Sequence, residues 1–136
     1  MNGKWFAALA ALVSVLPVAA QAEPSLGGEW INPRGTVIVA TAPCQGGLCG
    51  WVRWANGEAQ SDAQEAGVAH LVGTELLQDY KSDGRGGWSG RVYVPDIGRS
   101  FSSTIRPVDP THVKISGCLI GSWMCRSQIW SRPKAD

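Results

Sequence analysis

The chain has 136 residues, with 12 basic and 11 acidic side chains and a formal net charge of +1 at pH 7. Nucleic acids and anionic membranes attract basic patches, so this balanced and interspersed charge argues against both as partners. The length predicts a single domain. Seventeen glycines and seven tryptophans, spread among short apolar stretches, indicate an all-β domain.

The first 22 residues have the pattern of a secretory signal peptide. Lys4 supplies the positive start, residues 5–16 form an apolar run with one serine, and Ala20-Gln21-Ala22 provides a small-x-small cleavage site. The run is shorter than the roughly 20 apolar residues that a membrane span requires. We therefore expect cleavage after Ala22 and a periplasmic or secreted protein. Its single domain would cover residues 23–136, with 11 basic and 11 acidic residues.

The pattern of the remaining chain predicts a β-barrel. Apolar, β-branched and alternating segments between turn residues predict eight strands, at residues 27–31, 36–41, 49–54, 71–77, 88–94, 100–106, 112–119 and 123–132. Residues 55–69 are polar and rich in alanine, which is compatible with a helical turn or two or with a mobile excursion. Short connections imply antiparallel neighbours, and eight such strands close into an up-and-down barrel.

Four cysteines in an exported chain indicate disulfides, because export leads to an oxidising compartment. Three pairings are possible. Opposed residues of a hairpin lie about 4.5–5.5 Å apart at Cα, a distance that a disulfide accepts. Cys44 with Cys49 and Cys118 with Cys125 each bracket a short turn-rich segment, so we predict these two pairs. A zinc site with all four cysteines is the rival, but the chain has no C-x-x-C pair. We expect no metal and no cofactor.

An ordered series of short motifs runs through the predicted domain. The pieces are Gly28-Glu29-Trp30, Leu48-Cys49-Gly50, Leu71-Val72-Gly73, residues 88–95 with Gly98 and Phe101, and Gly117-Cys118 with residues 125–132. This series resembles domain-of-unknown-function family 2147, a family of small exported bacterial proteins, over nearly the whole mature chain. The resemblance implies a lipocalin-like (calycin-like) barrel and brings no known activity. Residues 63–70 depart from the family, whose members often carry Asn-Pro-Asp and basic residues there.

The lipocalin-like resemblance also implies how the barrel closes. In such barrels the tryptophan of the G-x-W motif packs at the closed end, beneath a basic side chain from near the last strand. Here the tryptophan is Trp30, and the candidates for the basic side chain are Arg126 and Arg132. Stacking a guanidinium on an indole is favourable by roughly 0.5–2 kcal/mol.

The last predicted strand allows two orientations. Residues at alternate positions share a face, so Arg126, Gln128 and Trp130 point the same way. In one orientation these three line the barrel interior, where arginine grips a ligand carboxylate. In the other they face solvent, and Trp123, Ile129 and the disulfide face inward. The sequence modestly favours the second orientation.

Further aromatic residues on several strands could hold an apolar small molecule. The candidates are Trp51, Trp54, Trp88, Tyr93 and Phe101. An eight-stranded barrel is also the size at which side chains can fill the interior completely. A packed core and an open cavity are therefore equally compatible with the sequence.

Signals for catalysis are weak. His70 and His112 lack a metal-ligand spacing, and Gly87-Trp88-Ser89-Gly90 is one residue short of a G-x-S-x-G motif. Paired cysteines leave no thiol nucleophile, so we expect a protein that is not an enzyme. The leading hypothesis is a barrel that binds a small apolar or amphipathic molecule. The alternatives are a protein-binding module such as a periplasmic protease inhibitor, and a structural or envelope-stress protein without a ligand.

Overall fold

The computed structural model describes residue 3 and residues 10–15, 26–120 and 123–134. Most of the predicted signal peptide, its cleavage site and residues 23–25 lie outside these ranges. The described residues form β1 (Gly28–Ile31), β2 (Val37–Cys44), β3 (Gly47–Ala55), α1 (Gly57–Glu65), β4 (Glu75–Ser82), β5 (Trp88–Val94), β6 (Arg99–Asp109), β7 (His112–Ile120) and β8 (Trp123–Ser131). Neighbouring strands are antiparallel, and β1 closes on β8. The predicted eight-stranded up-and-down barrel is confirmed.

The connection between β3 and β4 differs most from the sequence-based expectation. Of the two alternatives for residues 55–69, the helix is correct: the Asn56 side chain caps α1 by accepting a hydrogen bond from the Ala59 N–H at 2.9 Å. The strand predicted at residues 71–77 begins only at Glu75. Leu71 is buried in the connection itself, and Gly73 turns the chain with a φ of 94°. An apolar segment that fills the core from a loop was therefore mistaken for a strand.

A β-bulge in β4 changes which residues face the barrel interior. The register with β5 shifts between Gln78 and Lys81, and Asp79 takes a φ of 52°. Strict alternation from the buried Leu77 would point Asp79 inward, but the extra residue of the bulge turns Tyr80 inward instead. Gly90 on β5 makes room for the ring, because a Cβ atom there would lie 2.7 Å from the Tyr80 Cγ.

The predicted disulfide between Cys44 and Cys49 is formed at the β2–β3 hairpin. Gln45 and Gly46 both have positive φ angles, 42° and 78°, which suit the tight two-residue turn of a right-twisted hairpin. Cys44 pairs in register with Gly47, so the two cysteines lie diagonally rather than directly opposite each other. Their Cα atoms are 5.7 Å apart.

One end of the barrel is closed around Trp30. The indole is 3% exposed and donates a hydrogen bond from Nε1 to the Leu26 carbonyl oxygen at 2.9 Å. The Arg132 guanidinium lies 3.8 Å from the centre of the Trp30 ring and donates to the Glu29 carbonyl oxygen at 3.2 Å. Partial burial lowers the pKa of Arg132. Arg132 is thus the arginine that covers Trp30, whereas Arg126 lies elsewhere, in the cavity described below.

The barrel interior next to Trp30 is filled by side chains. The void at its centre measures about 10 Å³, which is about the space of one water-sized probe. Its walls are apolar apart from Thr41 and consist of Leu26, Trp30, Val39, Thr41, Leu48, Leu77, Ile105, Val113, Ile115 and Trp130. This half of the barrel is therefore a packed core.

Replacing Arg132 with alanine should lower the free energy of unfolding by about 1–2 kcal/mol, because the contact with a buried indole and the bond to Glu29 are lost together. Urea unfolding followed by tryptophan fluorescence measures this. Arg85, exposed in the β4–β5 loop at the same end, is the matched control, and Arg85→Ala should change stability by less than about 0.5 kcal/mol. Equal losses in the two variants would show that the Trp30 contact contributes nothing.

Tyr80 carries a buried hydroxyl in the packed half. The residue is 0% exposed, and neither its hydroxyl nor that of Ser103 has a hydrogen-bond partner among the described residues. Burial raises the pKa of Tyr80 above its ordinary value of 10.0, and the nearby Ser103 side chain lowers it by less than burial raises it. Because the pKa of Tyr80 is higher in the folded state than in the unfolded state, its contribution to the free energy of unfolding is fully present below pH 10. This contribution is lost as the pH rises further.

Tyr80→Phe should therefore leave the free energy of unfolding within about 1 kcal/mol of wild type at neutral pH, since no hydrogen bond is broken. At roughly pH 11 the variant should lose less stability than wild type, because it has no phenol to ionise on unfolding. Urea unfolding at both pH values tests this. Tyr93→Phe removes the other tyrosine and should keep the alkaline loss of wild type. Parallel pH dependence of Tyr80→Phe and wild type would contradict the assignment.

Candidate functional site

The half of the barrel away from Trp30 contains an open cavity of about 580 Å³. Leu77, Ile115 and Trp130 line both this cavity and the packed core, so they form the floor between the two halves. Sites for small organic ligands generally enclose about 300–1,000 Å³. The cavity therefore has the size of a ligand-binding site.

Four chain connections surround the mouth of the cavity. In an up-and-down barrel the connections β1–β2, β3–β4, β5–β6 and β7–β8 all emerge at the same end. The first three contribute Arg34, Glu58 and Ile97 to the cavity wall, in that order, and Leu119 lines it from the end of β7. Arg34 Nη2 lies 2.6 Å from Glu58 Oε1 and links the β1–β2 turn to the start of α1. The mouth is thus built from segments far apart in sequence.

The β1–β2 turn is fixed by one asparagine at the cavity edge. The Asn32 Oδ1 atom accepts hydrogen bonds from the Thr36 N–H at 2.7 Å and from the Val37 N–H at 3.0 Å. The Asn32 Nδ2 group donates to the Thr36 hydroxyl at 2.7 Å. All three residues line the cavity. The position of Arg34 at the turn is therefore set by this local network.

Helix α1 contributes one side of the mouth. Ala59 and Asp62 line the cavity, and Ala63 is fully buried against the core. The Gln60 side chain donates from Nε2 to the Ala55 carbonyl oxygen at 2.9 Å, which ties the first turn of the helix to the end of β3. The helix therefore takes a defined place beside the opening.

Strand β8 directs one of its two faces into the cavity. Arg126, Gln128 and Trp130 line the cavity, and the Trp130 Nε1 donates to the Gln128 Oε1 at 3.0 Å. Trp123 and Ile129 on the other face are 66% and 44% exposed. The orientation that the sequence favoured, with Trp123 and Ile129 inside, is therefore wrong. The face carries both polar and apolar residues because it lines an open cavity rather than a packed core.

The disulfide between Cys118 and Cys125 spans the β7–β8 hairpin at the cavity mouth. The two cysteines are directly opposed in register, with Cα atoms 4.0 Å apart, as predicted. Beyond them, Leu119, Ile120 and Trp123 are more than half exposed. The disulfide thus fixes the pairing of β7 with β8 where the apolar end of the hairpin leaves the barrel.

The predicted aromatic set is only partly brought together. Tyr93 and Phe101 line the cavity, but Trp51, Trp54 and Trp88 do not. Trp54 is 45% exposed, and Trp88 packs against the core cluster. On β3 the inward position is taken by the buried Val52, which leaves Trp51 on the outer side. The pairing with β2 shifts register between Ile38 and Val39, which breaks the alternation between Val52 and the exposed Trp54. The prediction that Trp51, Trp54 and Trp88 contact a ligand is therefore wrong.

A glycine explains why β3 was misinterpreted. Gly50 is buried, and a Cβ atom there would lie 2.8 Å from Val39 Cγ1 and 2.9 Å from Leu77 Cδ1. The inward face of β3 thus includes a residue without a side chain, because the opposite wall already fills the space. An inward glycine beside an outward tryptophan inverts the usual apolar-inside pattern.

Several cavity residues were not singled out from the sequence. Some lie on strands and could have been found from alternation, since Ile115 and Gly117 continue the inward series of the buried Val113. Ala59 and Ile97 come from a helix and a turn. No periodic signal placed those two residues at a barrel opening.

The two histidines lie away from the cavity. Neither histidine lines it, and His112 Nδ1 instead lies 2.9 Å from Asp109 Oδ1 near the β6–β7 turn. This contact, together with the Thr111 N–H, lowers the pKa of Asp109. Within residues 26–120 and 123–134, no group of three or more histidine, cysteine, aspartate and glutamate residues is placed to hold a metal ion.

A comparison with solved structures relates this fold to a known protein. A solved structure of a protein from the human pathogen Helicobacter pylori, described as belonging to the lipocalin family, superposes with a TM-score of 0.59 at 11% sequence identity. The match covers 81% of this chain and 84% of that protein, and it supports a lipocalin-like fold. A search of curated protein sequences found no match.

Two further observations bear on the class of protein. No helix in the described part of the chain is long and apolar enough to cross a membrane. The two disulfides fit an extracellular or periplasmic protein. The model of domain-of-unknown-function family 2147, described as an uncharacterized protein conserved in bacteria, matches residues 28–132. The chain therefore belongs to this bacterial family, as its ordered motifs indicated.

Proposed function

We propose that this protein binds a small apolar or amphipathic molecule in the open half of its barrel. The observation that carries the proposal is the contrast between the two halves. One half leaves a void of about 10 Å³, whereas the other leaves about 580 Å³. Interiors normally pack to the density of organic crystals, so a large space beside a well-packed core is specific to one half of the molecule.

The composition of the cavity wall supports this kind of ligand. Binding pockets for small molecules are mostly apolar, with a few polar groups that fix orientation. Here the apolar wall includes Val37, Leu76, Val92, Phe101, Ile115 and Trp130. The polar groups in the strand wall are few, and Arg126 and Gln128 are adjacent members of one face. An amphipathic molecule would match both the apolar wall and these polar groups.

Export is part of the proposal. The charged start, apolar run and small-residue site of residues 1–22 supply a signal peptide that is cleaved after Ala22. The mature protein then acts in the periplasm or outside the cell. All four cysteines are disulfide-bonded, which supports an oxidising location.

The protein acts by binding rather than by catalysis. A nucleophile needs an adjacent base, commonly an imidazole, to act on a bound molecule. No histidine in the described part of the chain lines the cavity. Cys118 lines it, but its sulfur is bonded to Cys125 in a disulfide. The carboxyl groups in the wall, on Glu58, Asp62 and Asp96, belong to the helix and the turn at the mouth. The cavity therefore supplies an apolar surface and a few polar groups that would orient a bound molecule.

Filling the cavity tests the proposal. Gly117 lines the cavity on β7, and a Cβ atom added there would contact only Val92 Cγ1 at 3.4 Å and the Ser102 carbonyl oxygen at 4.0 Å. Gly117→Leu should therefore fold and reduce the affinity for an environment-sensitive apolar dye by more than about tenfold, because the side chain occupies the ligand volume. Fluorescence titration measures the affinity, and thermal unfolding checks the fold.

Ser127→Leu is the matched control, since Ser127 is exposed on the outer face of β8. It adds the same side chain outside the barrel and should leave dye affinity unchanged. Native mass spectrometry of protein purified from its host gives a second measurement, in which a retained small molecule is expected in wild type and reduced in Gly117→Leu. Wild-type protein that is consistently empty and takes up no probe would refute the proposal.

A protein-binding module is the second candidate, favoured by the exposed apolar end of the β7–β8 hairpin. Exposed apolar patches often mark interaction sites. Ile120 and Trp123 are 62% and 66% exposed and do not line the cavity. Replacing both with serine should leave dye affinity within about threefold of wild type. A pull-down with catalytically inactive exported proteases separates the candidates, because only a protein-binding module would capture one and lose it in this variant.

A further inference from the structure

The charged residues around the cavity are not equivalent. Five line it: Arg34, Glu58, Asp62, Asp96 and Arg126. Arg34 and Glu58 neutralise each other across the mouth, with 2.6 Å between Nη2 and Oε1. Asp96 is exposed and Asp62 partly so, both in connections at the mouth rather than in the strand wall. Arg126 is therefore the charged residue of the cavity that a barrel strand carries.

Arg126 has no acidic partner within the described part of the chain. The ion pairs found there join Arg34 to Glu58, Arg53 to Glu29, Arg106 to Asp83 and His112 to Asp109. The guanidinium of Arg126 thus keeps its hydrogen-bond donors available on the cavity side of β8. A guanidinium presents these donors in a fork that matches the two oxygens of a carboxylate.

The neighbours of Arg126 extend this donor site. Gln128 lies two residues further along the same face, about 7 Å away along the strand. The Trp130 indole occupies the Gln128 amide oxygen, which leaves the amide NH₂ as the free end of that side chain. Directly across from Arg126 in register is Gly117, which has no side chain to cover the guanidinium. The wall therefore offers two donors beside an uncovered space.

The apolar floor lies below these donors. Trp130 lies four positions after Arg126, roughly 14 Å along an extended strand. Trp130 is 7% exposed and forms the floor with Leu77 and Ile115. A molecule that reaches from Arg126 to this floor has its polar end towards the mouth and its apolar body inside.

We infer that the ligand is an apolar molecule with a single carboxylate, which Arg126 and Gln128 bind while the apolar body rests on Trp130. This inference rests on the proposed function and adds the class of ligand and its orientation. One unpaired cation in the strand wall matches one negative charge. A second negative charge would have no further unpaired cation in the described cavity wall, since Arg34 is paired with Glu58.

The test compares probes that share a decyl chain and differ in their polar end. Decanoate, decanol, decyl phosphate and decyltrimethylammonium are titrated into the protein by isothermal calorimetry. Wild type should bind decanoate more tightly than the other three. Arg126→Gln should weaken decanoate binding by about 10- to 100-fold, the loss expected for a charge-assisted pair, and change decanol affinity by less than about threefold.

Arg91→Gln is the matched control, because Arg91 is an exposed strand arginine outside the cavity. It should leave the affinities for all four probes unchanged. Arg126→Lys keeps the charge but loses the forked geometry and should give an intermediate loss of decanoate affinity. These variants, with thermal unfolding as a check on folding, separate a specific contact from a general effect of charge.

The outcomes of these titrations distinguish the carboxylate assignment from the proposed ligand-binding function. If decanol binds as tightly as decanoate and Arg126→Gln changes nothing, the carboxylate site is refuted while the binding function stands. Tighter binding of decyl phosphate or decyltrimethylammonium than of decanoate also refutes the carboxylate assignment. If none of the four probes binds wild type, the inference and the proposed function fail together.

Discussion

The structure depends on closing an eight-stranded sheet across a short seam. Strand β1 has four residues and pairs with β2 along its whole length, but with β8 only at Ile31 and Ser131. So small a ladder leaves the closure to side chains. The stack of Arg132 on Trp30 and its bond to the backbone of Glu29 join the first and last strands of the sheet at this point.

The closure at Trp30 also explains the division of the interior. The side chains next to Trp30 are large and meet across the barrel, so that end is full. Away from Trp30 the inward positions include Gly117, and the mouth is formed by turns and one helix that border the space rather than fill it. The packed core and the open cavity thus lie at different ends of one sheet. A substitution in the cavity wall can change the cavity without disturbing the seam.

Much of the architecture could be predicted from the sequence, because strand number and order follow from alternation and turn residues. The errors arise where a backbone irregularity breaks the period of two. Leu71 fills the core from a loop, and β4 continues through a bulge at Asp79 to Ser82, beyond the predicted end at residue 77. Neither feature has a local signature that separates it from an ordinary strand.

The cavity was harder to predict than the fold. A volume is what remains after all side chains are placed, so it depends on pairs of residues far apart in sequence. Alternation correctly grouped Arg126 with Gln128 and Trp130, yet it could not decide which face was inside. The inward orientation of this mixed face depends on the open cavity in this half of the barrel. Gly50 lies where opposing side chains fill the interior, and Gly117 lies where the interior stays open.

The two disulfides have a consequence for how the protein matures. Each joins cysteines close in sequence, five and seven residues apart, within a single hairpin. Neither connects distant strands or crosses the β1–β8 seam. Each correct pair is therefore the nearest one along the chain and can form as soon as its own turn folds, before the barrel closes. Such a chain avoids the scrambled pairings that proteins with long-range disulfides must resolve by exchange, and its oxidation need not limit how fast the barrel assembles.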